Sequence, residues 1–540
     1  MRTQKVEFGA EARKKLMKGI DTLTDAVVTT LGPNGRNVIY NNNGVFQSTK
    51  DGVSVAKRIV ALQDPIEDLG VQLIKQASIK TADHAGDGTT TSTLLAREMV
   101  KSGLKFLNNG ENAVEIKRGI DKAVKQIVET LRTEIAEDIS SEDQIKQVAA
   151  ISSNNDVEIG NLIATALEKS GHNGIVHIED SKTHETYLKT VEGLQFDRGY
   201  KSHFFVTDNT SMTCYLKDTY ILIADHKFTT AKELLPVLEY ISTSNKSLLI
   251  IAEEIEHEAL ATLIVNKGRG VIKVAAVKAP DFGERRKLVL EDIAILTGGK
   301  VFDKNKGMKL EKFDKDWLGQ ASTVTVTKDQ TTIIDGKGKE EDIANRVGEL
   351  QSQVEKSTTP FEIEKLQERL AKMVGGVSII YVGGYNETEM NEKKDRVDDA
   401  LNATKAALEE GIVPGGGAAL LHARNTLEIN DIGAQIVYDA CGKPFETILT
   451  NAGYDNIDAQ IHGKVIGAGD KWDGYNLKTD DITNMKEAGI IDPLKVTRTA
   501  LENAAAVAST ILLTEACIID LPEENKNVTP DLSGMEGMFG

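Results

Sequence analysis

Apolar residues recur with a helical period at both ends of this chain and with a strand-like texture in its middle. Near the N-terminus Leu16, Ile20, Leu23, Ala26 and Val27 share one helix face, and Ile116, Ile120, Ala123, Val124, Ile127, Val128 and Leu131 share another. Between about 192 and 377 short apolar runs alternate with helical stretches: Tyr220 to Ala224, Leu248 to Ala252 and Ile272 to Val277. That alternation predicts an α/β domain. From about 410 onward the Ala-rich helical texture returns, in Ala418 to Leu421 and in Leu501, Ala504, Ala505, Val507 and Ala508. Like texture at the two ends predicts that the termini fold together and that the α/β region is an insertion between them.

Size and charge narrow the functional classes. A chain of 540 residues exceeds one compact core and suggests roughly three or four domains. Its 64 Lys and Arg against 82 Asp and Glu, a formal charge of −18, argue against a nucleic-acid backbone as main partner. Cys214, Cys441 and Cys517 are far apart and lack Cys-x-x-Cys spacing, so neither a disulfide framework nor a zinc site is expected. The longest apolar runs fall well short of the roughly 20 residues that span a bilayer, so no membrane partner is expected. The start, Met1 to Phe8, resembles neither a signal peptide nor a basic presequence.

Candidate chemistry lies mainly in the helical ends. Gly86-Asp87-Gly88-Thr89-Thr90-Thr91 opens an apolar helix, where free backbone N–H groups and the helix dipole favour an anion. Asp87 suits a Mg²⁺ ion bridging to a phosphate. A capped helix after a glycine turn is the plain alternative. Gly32-Pro33-Asn34-Gly35 and Lys50-Asp51-Gly52 form two further tight turns, and Gly415-Gly416-Gly417 offers bare backbone to a flat base or ribose. Neither Gly-x-x-x-x-Gly-Lys-Ser/Thr nor a strand-linked Gly-x-Gly-x-x-Gly occurs, so any nucleotide site is of another type.

The chain resembles the group I chaperonins, the GroEL-type ATP-driven folding machines. Leu31-Gly32-Pro33 with Gly35 to Val38, Lys50 to Val55, Gly86 to Thr91 and Val191 to Tyr200 carry the likeness. So do Lys278-Ala279-Pro280 with Phe282-Gly283, Lys365 to Arg369, Gly415 to Gly417, and Asp492-Pro493 with Lys495 to Arg498. These runs follow the family's order along nearly the whole chain. The resemblance implies a multidomain α and α/β fold. A mostly helical equatorial ATP-binding domain would come from residues 1–134 and 410–540. A small α/β intermediate hinge domain would come from 135–191 and 378–409, and an inserted α/β apical domain from 192–377. Gly193 and Gly375-Gly376 lie near the joints.

Site residues follow from the same resemblance. Thr30, Leu31, Gly32, Pro33, Lys50, Asp87, Gly88, Thr89, Thr90 and Thr91 would hold the phosphates of ATP, with Asp87 on Mg²⁺ and a K⁺ ion near Thr30 and Lys50. Gly416, Asn476, Ile490 and Asp492 would hold adenine and ribose. Asp399 and Asp51 would orient the attacking water. Adjacent helical residues point about 100° apart, so only one of Asp398 and Asp399 can face the site, and the resemblance implies that it is the second, Asp399. Tyr200, Phe204, Phe205, Leu235, Leu238, Leu260, Leu263, Ile264 and Val265 would bind non-native proteins and a GroES-type co-chaperonin. By spacing alone, Leu260, Leu263 and Ile264 read as a core-facing stripe.

A homo-oligomeric ring, heptameric and single or stacked as a double ring, is implied, in bacterial cytoplasm or in an organellar matrix after presequence removal. The chain departs from the family's usual pattern at His203, at Asp281 and across Asn451 to Gly474, where the family makes contacts between rings. The last residues, Gly534 to Gly540, read as a shortened Gly/Met tail. Two other classes remain open: a ring-forming scaffold that has lost turnover, and a small-molecule kinase using the same pocket.

Overall fold

The computed structural model describes residues 4–42, 45–170, 175–191, 193–209, 211–357, 359–374, 377–454 and 458–520. The chain forms two compact units, Met1–Ala164 with Tyr385–Gly540, and Thr165–Gly384. The first therefore joins both ends of the sequence. Strand Gln4–Phe8 pairs antiparallel with Ala516–Asp520, setting Val6 opposite Ile518. Behind this ribbon lies a helical core. Ile20, Leu23 and Val27, Val71 and Ile74, Leu95 and Met99, Ile116, Ile120 and Ile127, and Leu501, Ala508 and Ile511 come from five helices and are buried together. Each set repeats every three or four residues, so each helix turns one apolar stripe inward.

Two helices of the expected hinge domain, Glu142–Ser152 and Glu387–Glu410, belong to this first unit. The reason is packing: Val148, Ala403, Ala407, Ile412, Trp472 and Ile491 make one buried cluster. Glu137 braces the same region. It accepts from the Trp472 indole N–H at 2.8 Å and pairs with Lys486 and Lys471. The Lys486 ammonium is the main cause holding its carboxyl down at about 2; partial burial opposes it, and Trp472 and Lys471 add to the lowering. This group's stabilisation is complete above the ordinary Glu pKa of 4.5 and is lost as pH falls through about 2. The brace is largely solvated, which weakens it. Glu137→Gln is expected to lower the thermal midpoint at neutral pH by about 2 °C, with the gap from wild type closing on acidification toward pH ~2. Calorimetry across that range checks it; a gap that persists at low pH would assign the loss to packing instead.

In the second unit the apolar runs become a sheet in the order Gly193–Phe196, Thr331–Gly336, Gly319–Val326, Cys214–Phe228, Ser247–Ile255, Lys273–Lys278, with Val301–Phe302 also paired to Cys214–Phe228. Its last three strands run parallel, with Ile221 beside Leu249 and Leu249 beside Ala275. Helices Ala231–Ser244 and His257–Gly268 make the crossovers. Ile221 to Ala224, Leu248 to Ala252 and Val274 to Val277 are wholly buried, as parallel strands covered on both faces require. A separate sheet joins Ile175–Asp180, Val377–Val382 and Tyr187–Val191. Gly193 is not a loose joint. It is buried and paired in its strand opposite Ile334. Gly375-Gly376 and the Gly/Met tail lie outside the described residues. Asp281 has φ 64°, a left-handed turn position that Asp tolerates better than most side chains.

Candidate functional site

In the first unit a cavity of about 850 Å³ is lined by every residue that the sequence assigns to nucleotide, ions and hydrolysis. Its floor is the turn between two helices. Pro65–Ala85 ends at Gly86, and Thr89–Asn108 begins after Gly88, which sits at φ 81° and provides no side-chain cap. The N–H groups of the first helical turn therefore remain available to an anion. Any larger residue at position 88 would be strained at this φ and would put its Cβ 2.6 Å from Val496 Cγ1. Thr30 comes from the end of another helix. Its hydroxyl donates to Val27 O at 2.8 Å, so the Thr90 hydroxyl 3.4 Å away is the donor of that pair.

Asp51 caps the Gly52–Arg58 helix, accepting from Val53 N at 3.1 Å and Ser54 N at 2.8 Å. The cap fixes its carboxylate at the cavity wall. Lys50 beside it donates to Asn154 Oδ1 at 2.7 Å, and burial lowers its pKa. Burial pushes the Asp87 carboxyl up to about 6; the Gly88 N–H at 2.5 Å pulls it down and the Asp51 charge pushes it up. Asp399 is raised well above the usual range, first by burial and then by the charges of Asp87 and Asp51. Asp399 lines the cavity and Asp398 does not; the strongest charge acting on Asp398 is Lys405.

At the other wall, Gly415 N donates to Ile490 O at 3.0 Å, and the pairing of Ile412–Pro414 with Ile491–Pro493 sets Val413 opposite Asp492. Burial, then the Asp87 charge, raises the Asp492 carboxyl to about 7. Asn476 is buried there and accepts from Lys478 N at 3.0 Å. Sequence reasoning did not single out Gln147, Asn154, Asp395 or Tyr475, which also line the cavity, nor Asn451, whose amide donates to Val28 O at 2.9 Å and Leu31 O at 3.0 Å. Asn451 thus holds the Thr29-Thr30-Leu31 turn in place. No short motif marks such long-range contacts.

Comparison with known proteins fits this architecture. The profile of the TCP-1/cpn60 chaperonin family matches residues 23–522. The chain belongs to that family. Its fold is similar to chaperonin gp146 from bacteriophage EL 2 (Pseudomonas aeruginosa), crystallised in the presence of ATP-BeFx. The TM-score is 0.68 at 22% sequence identity, over 96% of this chain and 99% of that one.

The chaperonin's second unit carries the nine residues expected to bind non-native protein, and they divide by burial. Phe204, Leu235 and Val265 are exposed, at 58%, 44% and 46%. Tyr200, Leu260 and Ile264 are partly buried against the core. Phe205, Leu238 and Leu263 are buried, which corrects the expectation that all nine form a surface. The cause is geometric: on helix His257–Gly268 the core-facing residues are Ala259 and Leu263, one turn apart, so the stripe centred on Leu263 faces inward while Val265 points out. On the short turn His203–Phe205 one phenylalanine goes in and the other out, the His203 ring lying 4.1 Å from that of Phe204.

Proposed function

We propose that this chaperonin is an ATP-hydrolysing protein-folding machine of the group I type. The observation that carries the reading is the meeting, in one cavity, of an uncapped helix N-terminus with Asp51, Asp87 and Asp399. Phosphates would lie on the Thr89–Thr91 turn and beside Thr30 to Pro33, and adenine and ribose against Gly416, Asn476, Ile490 and Asp492. Asp399 and Asp51 would orient the attacking water, so that positioning supplies most of the acceleration.

The donor chemistry fits the expected ions. Asp87 has no cationic partner among the described residues, and hard oxygen ligands suit Mg²⁺. When bound, the metal would neutralise charge on the phosphates. The hydroxyls of Thr30 and Thr90 give K⁺ oxygen neighbours; Lys50, itself a cation tied to Asn154, would shape the wall rather than ligate.

Phe204, Leu235 and Val265 would present the apolar surface that takes non-native chains and a GroES-type co-chaperonin. Such a surface recognises area rather than sequence. The three-domain division, with hinge segments at 135–191 and 378–409, belongs to the same proposal. So does assembly into a ring, for which exposed Ile39 and Phe46 on one hairpin and Phe8 and Ile518 on the terminal ribbon offer apolar surface. A bacterial cytoplasm or an organellar matrix is the proposed setting.

The test is refolding of a denatured, aggregation-prone enzyme with co-chaperonin, with and without ATP. ATP-dependent recovery supports the machine, whereas capture without ATP hydrolysis by the wild type leaves only a scaffold. In the same assay Phe204→Ser with Val265→Ser is expected to weaken capture of denatured protein about tenfold with ATPase retained. Unchanged capture would remove this surface from the proposal.

A further inference from the structure

Asp395 stands one turn before Asp399 on the Glu387–Glu410 helix, and residues four apart share a helix face. Both line the cavity. Unlike Asp51, which is engaged as a helix cap, Asp395 makes no hydrogen bond or ion pair with any described residue. The cations around it are committed elsewhere. Lys50 holds Asn154 at 2.7 Å; Arg396 holds Glu392 at 2.9 Å and Asp156 at 3.4 Å. Facing it are Asp51 from the head of the Gly52–Arg58 helix, with Asp398, Glu392 and Lys394 on its own helix. Gln147 and Asn154, from the Glu142–Ser152 helix and the loop after it, complete that wall without a charge. An unpaired carboxylate is thus left open to a cavity whose opposite floor is built for an anion. A further negative charge beside a polyphosphate is costly unless it is neutralised.

We propose that Asp395 is a proton-carrying residue of the cavity, its carboxyl taking up a proton as an anionic nucleotide enters and returning it to solvent as the product leaves. The proposal rests on the nucleotide reading of the cavity. Desolvation by the cavity wall, then the charges of Asp51, Asp398 and Glu392, already push this carboxyl up to about 7 in the empty site, although solvent still reaches it. An arriving anion raises it further, so binding draws protons from neutral solution. Raising the pH ionises Asp395 and weakens nucleotide binding, by at most about tenfold per pH unit. Asp398, three residues on and not lining the cavity, acts only through its charge on Asp395.

The experiment is calorimetric titration of magnesium ADP into the full-length assembled protein at pH ~7.5, in two buffers of different ionisation enthalpy. The slope of heat against ionisation enthalpy counts protons. Because the nucleotide's own protons are the same throughout, differences between proteins isolate the side chain. The wild type is expected to take up about half a proton more than Asp395→Asn, and Asp398→Asn, which removes only one of the charges raising Asp395, to lie between the two. Affinity for magnesium ADP should fall several-fold from pH ~6.5 to ~8.5 in the wild type and fall less steeply in Asp395→Asn, where Asp87, Asp399 and Asp492 still titrate. Asp395→Ser provides a second neutral variant should the first not assemble. Equal proton numbers and equal pH dependence in the wild type and the neutral variants would overturn the proposal. Absence of any binding heat in the wild type would instead overturn the nucleotide reading itself, a different result from equal slopes.

Discussion

Asp399→Ala is expected to lower steady-state ATP hydrolysis by about 10²-fold or more while nucleotide still binds. The argument begins with where the residue sits. Asp399 belongs to the Glu387–Glu410 helix, whereas Asp87 and Asp51 precede the Thr89–Asn108 and Gly52–Arg58 helices, so three separate elements bring a carboxylate to one cavity. Asp87 and Asp51 are both anchored by backbone N–H groups, at Gly88 and at Val53 and Ser54. Asp399 has no hydrogen-bonding partner among the described residues and is raised well above the usual carboxylate range by burial and by those two acids. A fold gains nothing from keeping such a group, because removing it relieves repulsion. Its use lies in what enters the cavity.

Hydrolysis at a phosphorus centre needs little more than a positioned water and neutralised charge, and a water misplaced by about 1 Å costs about 10²-fold. The alanine variant should therefore be at least as stable as the wild type, bind magnesium ADP with near-normal affinity, and turn over slowly. Asp398→Ala is the contrast, expected to leave the rate within a few-fold. Equal loss in both variants, or loss of binding with loss of rate, would show that the helix rather than the Asp399 carboxylate matters.

Much of this was legible in the sequence, for identifiable reasons. The helical core could be read because each of its helices buries one stripe, and the insertion because strands buried on both faces leave continuous apolar runs such as Leu248 to Ala252. The glycine turn before the Thr89–Asn108 helix was visible because an uncapped helix start needs glycine where φ is positive, and Gly88 stands there. What stayed hidden depends on contacts distant in sequence. Asn451 clamps the Thr29-Thr30-Leu31 turn from 420 residues away, and nothing local marks it. Asp395 carries no motif, and only the fold shows that its turn of helix lines the cavity. Periodicity shows that Leu260, Leu263 and Ile264 share a face, but not whether solvent or core lies opposite; Leu263 is core. The expected hinge segments likewise divide between the two units, because their helices share the core around Trp472 while their strands form a separate sheet.

The second large effect is expected in the inserted unit, at Asp292. This carboxylate is 3% exposed on the Gly283–Thr297 helix. It accepts from Arg346 Nε at 2.9 Å and, through both oxygens, from Arg369 Nε at 2.7 Å and Nη2 at 2.9 Å. The two arginines lie on separate helices, Glu340–Lys356 and Pro360–Val374, so one acid ties three helices together. Asp292→Ala would leave two mostly buried guanidinium groups facing each other, Arg369 without a counter-charge among the described residues and Arg346 with only Glu349 at 3.0 Å and Glu291 at 3.6 Å. Breaking a buried pair from one side costs about 3–5 kcal/mol, far more than the pair's net worth, because the desolvated charges remain.

The chain's two tryptophans make the measurement selective: Trp317 lies in this unit and Trp472 in the other. In a Trp472→Phe background, urea unfolding followed by Trp317 fluorescence should shift to a much lower midpoint on Asp292→Ala. The same substitution followed through Trp472 in a Trp317→Phe background should shift little. Replacing Asp292, Arg346 and Arg369 together by apolar residues of similar size should recover most of the loss, since no buried charge then lacks a partner. A single variant as stable as the wild type at Trp317 would mean that water reaches the arginines when the acid is gone, and that the three helices are held by apolar packing, Leu290 and Ile293, Ile343 and Leu350, and Met373.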